Sequence, residues 1–270
     1  MSDDSVEDRI QCIQALHIAS LQAHAVPVGD GEGSAAVGGG SFISFLGDLP
    51  AQQKEDVLHS TLFAQLVANK QHDRQNDSEA WYDRYKDVLA SLGWMIRSFD
   101  MAELSDADTY VSVDKLLLKL AADHLSAEEL ALFQKVVESL GEGQTRNEVA
   151  TKLFNSQSMA SKKANFQVGV ASSDTEGNTK FKISIYFYSA DQDIDNVLFY
   201  ENGSQKTLEF RAGHETMVLN NDLYSQVREV VSSKLGQHAE DLVENIQIGP
   251  SVRVRAYASA RFPRRVINIK

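Results

Sequence analysis

Apolar residues first recur at helical spacing and, from about residue 160, switch to alternation, so the first half reads as helices and the second mostly as strands. Ile10, Ile13, Leu16 and Leu21 share one face of a helix over 5–26 that Pro27 stops. The next helix starts near Asp48, with Pro50 suited to its first turn, and carries a ridge of Leu58, Leu62 and Leu66 flanked by Phe63 and Val67. The polar hinge HDRQND, 72–77, breaks the period. Asp77 or Ser78 then caps a helix that aligns Trp81, Tyr85, Val88, Leu92 and Met95, with Tyr82, Leu89 and Ile96 beside them. Two such faces joined by a short hinge are expected to pack antiparallel. Further helices follow at about 112–123, 126–140 and 145–156, and Ser126…Glu129 and Thr145…Glu148 both match the capping-box spacing.

Beyond Asn165 the strands are NFQVGVA, TKFKISIYFYS, VLFYENG and KTLEFRA, separated by the turn-rich SSDTEGN and ADQDIDN. Phe181, Ile183, Ile185 and Phe187 alternate strictly with Lys180, Lys182, Ser184, Tyr186 and Tyr188, which predicts an antiparallel meander with one buried face. A helix from Asn221 to Leu235 stops at Gly236. The expected fold is therefore α+β: a helical N-terminal half packed on a central, mostly antiparallel sheet from the C-terminal half, with a further C-terminal helix. The chain reads as one domain over 1–270, with a flexible Gly-rich connector at 28–47 and a basic arm at 250–270.

Six glycines precede Phe42, Ile43, Phe45 and Leu46, an oddly apolar group for a connector. Those four residues are the candidates for lipid, membrane or partner contact; if they pack on the core, the connector is ordinary. The GDGEG start is not a phosphate loop, because no Gly-Lys-Ser/Thr closes it and no predicted strand precedes it.

Charge changes the picture at one end only. Against 38 acidic residues the chain has 26 basic ones, a net of −12. Arg253, Arg255, Arg261, Arg264, Arg265 and Lys270 fall in the last eighteen residues without an acid, so the body before them carries about −18. Such a body repels phosphate backbones and disfavours nucleic acid as a partner. The five arginines are the candidates for contact with an anionic partner.

The N-terminal MSDDSVEDRI lacks the positive start and apolar run of a secretion signal, and no long apolar stretch follows. Synthesis in the cytoplasm is expected, with any release by a signal-less route. One cysteine, Cys12, excludes an intrachain disulfide and a cysteine-based zinc cluster. Its place near Ile13 and Leu16 favours a small buried hydrophobe; an exposed thiol beside a cation would instead be open to acylation or oxidation.

No sequence motif specifies a reaction. Asp191, Asp193 and Asp195 lack the glycine and glutamate of an EF-hand, since Asn196 and Asn202 stand at those places. The seven histidines form no HExxH or HxH pair, and GxSxG is absent. Glu209, Arg211, His214 and Glu215 are the densest titratable group near a strand end, where a cleft could support acid–base work; exposed decoration of an edge strand is the simpler reading. Neither a catalytic residue, a metal nor a cofactor is expected.

The stretch STLFAQLVANKQHDR from Ser60, EAWYDRYKDVLASLGWMIRSFDM from Glu79, the strand ANFQV at 164–168 and MVLNNDLYSQVREVVSSKLG from Met217 together resemble the Evf-type bacterial virulence factors. The resemblance covers most of 55–248, and its WYDRY…LGWMI block is the more specific part. It implies helices over a central sheet, a role in host interaction or toxicity without an established enzymatic activity, and an interior fatty acid held by thioester to a cysteine in the C-terminal half. Here no cysteine follows Cys12, so acylation at that place is closed and Cys12 becomes the acylation candidate. A non-covalent fatty acid could be walled by Trp81, Trp94, Phe166, Phe187 and Phe199, which equally suit an ordinary core. The expectation is a non-enzymatic virulence or host-interaction factor that associates with lipid or membrane surfaces. The alternative is a cargo or interaction subunit of a larger assembly whose basic tail docks an acidic partner.

Overall fold

In the computed structural model the described residues are 5–18, 34–47, 49–96, 102–104, 112–141, 147–201, 208–236, 242–246 and 248. Among them the helices are α1 Val6–Ala15, α2 Ala51–Gln71, α3 Ser78–Ser91, α4 Val113–Ala122, α5 Ala127–Ser139, α6 Glu148–Ser158 and α7 Asn221–Leu235. The strands are β1 Ser34–Gly38, β2 Ser41–Phe45, β3 Trp94–Met95, β4 Ala102–Glu103, β5 Met159–Ala160, β6 Lys163–Ser173, β7 Thr179–Ala190, β8 Leu208–Leu219 and β9 Val243–Ile246. All nine join one sheet in the order β3-β8-β7-β6-β2-β1-β9, with β4 also on β8 and β5 on β6.

The α+β class holds, with two corrections to its layout. The sheet is mixed, because β2 runs parallel to β6 while the other pairs are antiparallel. It also draws two of its strands from the glycine-rich segment. From Ser34 that segment is a hairpin: Gly38 pairs with Ser41 across a tight turn in which Gly39 takes φ +58°, a conformation open to glycine. Residues 28–33 lie outside the described set.

Both faces of the sheet are covered, against the expectation of one. Phe181, Ile183 and Ile185 of β7 join Ile43 and Phe45 beneath α1, α2, α3 and α7. The alternate residues Tyr186 and Tyr188 join Val37 and Phe42 beneath α4, α5 and α6. Period-2 alternation thus sorts side chains between two cores, and the tyrosines read as polar bury their rings in the second. Phe187 is half-buried, although the pattern placed it inside.

The two helices expected on either side of the 72–77 hinge are α2 and α3, and they pack against each other, with the Trp81 ring stacked on Tyr85 at 5.3 Å. Met95 does not extend α3; it sits in β3, 58% exposed. Ser126 and Glu129 form the expected reciprocal cap of α5. Thr145 lies outside the described residues, and Asn147 is the N-cap of α6. The expected strand at 197–203 is absent from its described residues, 197–201, because Asn155 and Asn196 side chains take the amides of Val197, Leu198 and Phe199. β8 instead runs on to Leu219 and pairs along all of β7.

A buried polar network ties the hairpin to α2 and α3. Gln65 accepts from the Gly40 amide at 3.0 Å and donates to Ser41 Oγ at 3.1 Å; Ser41 in turn bonds Gln167. Arg74, 8% exposed, donates to Gln65 Oε1 at 3.0 Å and to the Gly40 carbonyl at 3.2 Å, and its guanidinium lies 4.5 Å over the Trp81 ring. It has no carboxylate partner among the described residues, so neutral dipoles and a π-face solvate its charge. Burial, opposed by Tyr82 and Tyr85, lowers its pKa to about 10, which still leaves it charged at neutral pH.

Candidate functional site

The β7–β8 register sets Ser184 directly opposite His214. Their side chains meet, with Ser184 Oγ 2.7 Å from His214 Nδ1. In the neutral ring carrying its proton on Nε2, Nδ1 accepts this hydroxyl hydrogen. The turn after α4 lays His124 flat on His214, ring centroids 3.8 Å apart and planes at 29°. Tyr186, two residues along β7, meets the His214 ring edge-on at 5.9 Å.

Lys182 completes the row on β7. Its ammonium bonds Glu129 at 2.6 Å and the His124 carbonyl at 3.0 Å, so it fixes the turn that carries His124. Glu129, which also accepts from the Ser126 amide at 2.7 Å, couples the α5 cap to the sheet. Burial raises its pKa, but the Lys182 and Ser126 bonds outweigh this and hold the carboxyl below its usual range. His124, Lys182, Ser184 and His214 border a cleft of about 640 Å³ that is also lined by Met95, Ile96, Leu125, Glu215, Thr216 and Val218. Its walls combine apolar side chains with a few convergent polar groups, the usual make-up of a ligand site.

Burial pushes His214 down to about 4, the adjacent His124 adds to this, and Asp123 opposes both. The imidazole is therefore neutral at pH 7. Ser184 lies inside β7, which pairs on both sides, with Val168 on one and His214 on the other. Its backbone amide belongs to a sheet ladder, unlike that of a nucleophile on a sharp strand-to-helix turn.

No family model matches this chain, and no curated protein does. Among solved structures it is similar to one titled "Structure of the Evf virulence factor", at 13% identity over 87% of this chain and 88% of that one. The TM-score is 0.30, a loose likeness from which no residue role is carried over.

The residues singled out from the sequence are dispersed. Phe42, Ile43 and Phe45 are at most 1% exposed and divide between the two cores, so they offer nothing to a membrane. Leu46 is half-buried against the second core. Cys12 is exposed on α1, which corrects the expectation of burial: Ile13 holds the inward position and the thiol faces away from it. Arg253, Arg255, Arg261, Arg264 and Arg265 lie outside the described residues. Trp81, Trp94 and Phe166 are buried core residues, at most 2% exposed.

Of the titratable group read near the strand end, His214 and Glu215 line the cleft, while Glu209 and Arg211 are exposed elsewhere on β8. Ser184 and His124 were not anticipated; the contact between residues 184 and 214 depends on a strand register that the local pattern does not set. Among the described residues no three His, Cys, Asp or Glu side chains converge on a metal site, and no helix is long and apolar enough to cross a membrane.

Proposed function

We propose that this protein is a non-enzymatic virulence or host-interaction factor of the kind the Evf resemblance implies, and that it recognises its partner through the cleft over His124 and His214. The observation that carries the binding reading is the Ser184–His214 hydrogen bond. The pair has the residue types of a nucleophile and its base, but its setting suits holding a ligand. A general base works best with a pKa near the operating pH, and His214 at about 4 has little affinity for the serine proton. A neutral imidazole pair with a hydroxyl instead supplies fixed donors and acceptors beside the apolar Met95, Leu125 and Val218. Reaction with a fluorophosphonate probe, read by intact mass, separates the two roles.

Lipid association enters this proposal through the basic arm, because Phe42, Ile43 and Phe45 are consumed by the fold. Polybasic segments add to attraction for anionic lipid surfaces. The test is flotation with phosphatidylglycerol–phosphatidylcholine vesicles. The full chain should float, and the same chain with Arg253, Arg255, Arg261, Arg264 and Arg265 changed to Gln should not. Failure of both to float ends the lipid part. A fatty acid held without a covalent bond would appear in native mass spectra and vanish on denaturation.

The charge separation favours a second reading, in which the arm docks an acidic protein partner within a larger assembly. Co-purification that is lost between low and high salt, without vesicle binding, would support it.

A further inference from the structure

The imidazole pair in the cleft is a column of rings with one open end. Within the sheet His214 is held by the Ser184 hydroxyl, which donates to its Nδ1 at 2.7 Å, and by the Tyr186 ring, edge-on at 5.9 Å. His124 lies flat on His214 at 3.8 Å. It is exposed, lines the cleft and meets no other ring among the described residues. A flat ring has two faces, and His214 covers one of them. The column from Tyr186 through His214 to His124 therefore stops at a face that one further ring can cover.

The open end is fixed in place. The amides of His124 and Leu125 both bond the Ala121 carbonyl, at 3.1 and 2.9 Å. Lys182 holds the His124 carbonyl and is itself held by Glu129, whose side chain is 4% exposed. A surface ordered in advance loses little freedom when a ligand stacks on it.

Beside the column the fold leaves apolar surface uncovered. Met95 pairs with Val218 in the β3–β8 register, and both line the cleft together with Leu125. Met95 is 58% exposed, whereas its strand neighbour Trp94 is 2% exposed. A thioether packs favourably against an aromatic ring.

The polar groups set the charge of the occupant. Lys182 is engaged by Glu129, Glu215 lines the cleft, and the charge of Asp123 acts on His214. An anion would find no free cation there, and no three ligating side chains converge on a metal ion among the described residues. With Nδ1 taken by Ser184, the neutral His214 ring presents its Nε2 hydrogen as a donor. The cleft thus complements a neutral group that has a flat ring, and an acceptor close to it. A nucleotide has the ring but brings phosphates to an acidic body. An aromatic residue in a polypeptide has the ring and, beside it, its own main-chain carbonyl. Such residues are frequent anchors of protein interfaces.

We infer that the cleft takes an aromatic side chain of the partner protein, its ring stacked on His124 beside Met95 and its main-chain carbonyl bonded to His214 Nε2. This rests on the partner-binding reading given above and names what enters the site.

Nuclear magnetic resonance titration of the full chain, with labelled methyl groups and histidine rings, tests it. The probes are N-acetyltryptophanamide and N-acetylleucinamide, which share the same carbonyls and differ in the ring. The tryptophan probe should shift the Met95, Leu125 and Val218 methyls and the His124 ring saturably, and bind about fivefold more tightly than the leucine probe. Overhauser contacts should join its indole protons to the His124 ring. His124→Leu, an apolar replacement at an exposed position, should remove the preference, and Met95→Ala should weaken the tryptophan probe about twofold. Circular dichroism verifies that each variant folds. Equal or tighter binding of the leucine probe at the cleft overturns the inference and leaves the partner reading standing. A preference that survives His124→Leu, or an indole without contact to His124, also overturns it. If neither probe moves a cleft signal, the partner reading falls with the inference.

Discussion

Arg228 on α7 forks onto Asp56 on α2, its Nε and Nη2 each 2.7 Å from one carboxylate oxygen. Asp56 is 2% exposed and Arg228 about a third exposed, so the pair links two helices at the edge of the first core. Removing Arg228 leaves a buried carboxylate whose remaining side-chain partner among the described residues is Gln52, at a longer 3.2 Å. After discounting for the exposed side of the arginine, Arg228→Ala should cost about 2 kcal/mol. Urea denaturation of Arg228→Ala, Asp56→Ala and the double variant checks this. The double variant should lose clearly less than the two single losses combined; simple additivity would show that the pair is uncoupled.

Gly40→Ala should destabilise by about 1–3 kcal/mol. A Cβ at that position would stand 2.4 Å from Arg74 Nη1, and the guanidinium is held by Gln65, the Gly40 carbonyl and the Trp81 face. Displacing it should change tryptophan fluorescence along with the denaturation midpoint. An unchanged midpoint would mean that the network yields freely.

Gly169 faces a tighter contact on the other side of β6. An added Cβ would lie 2.1 Å from Phe181 Cε2 and 3.1 Å from the Lys182 carbonyl. Gly169→Ala must move an aromatic ring of the first core, and a loss of about 1–3 kcal/mol by thermal or chemical denaturation is expected. Gly177→Ala is a useful contrast: a Cβ there meets nothing within 4 Å, and only its φ of +82° resists the change.

Acid should weaken the fold partly through His214. Its folded pKa of about 4 lies below the ordinary 6.5, so between these values the unfolded chain takes up a proton that the folded chain refuses. Stability from this group is complete above pH 6.5, falls as pH drops toward about 4, and levels off below. Allowing for partial exposure, the contribution is about 2 kcal/mol. His214→Gln should lose less stability than the unaltered chain between pH 7 and pH 4.5, a comparison in which shared carboxylate effects such as that of Glu129 cancel. Equal losses would contradict the burial assigned to this ring.

Local signals carried much of the helical layout. The ridge of Leu58, Leu62 and Leu66, the Ser126–Glu129 box and the stop at Gly236 each encode a helix within a few residues, and each helix is present. The hairpin at Gly39 and Gly40 was hidden because its strands are only five residues each, and glycine-rich composition resembles a connector. The second core was hidden for a different reason: Tyr186 and Tyr188 count as half-polar in a period-2 pattern, yet their rings are fully buried. His214 stood out locally. Its companions Ser184 and His124 came with the sheet register and the α4–α5 turn, and tertiary contacts of that kind leave no trace in spacing.

The direct test of the binding reading is intact-mass analysis of the full chain after incubation with a fluorophosphonate at pH 7.5, beside Ser184→Ala. The unmodified mass should persist, because His214 leaves the Ser184 hydroxyl protonated and the sheet holds its backbone. A stoichiometric adduct that disappears in Ser184→Ala would show a competent nucleophile and contradict the non-enzymatic role.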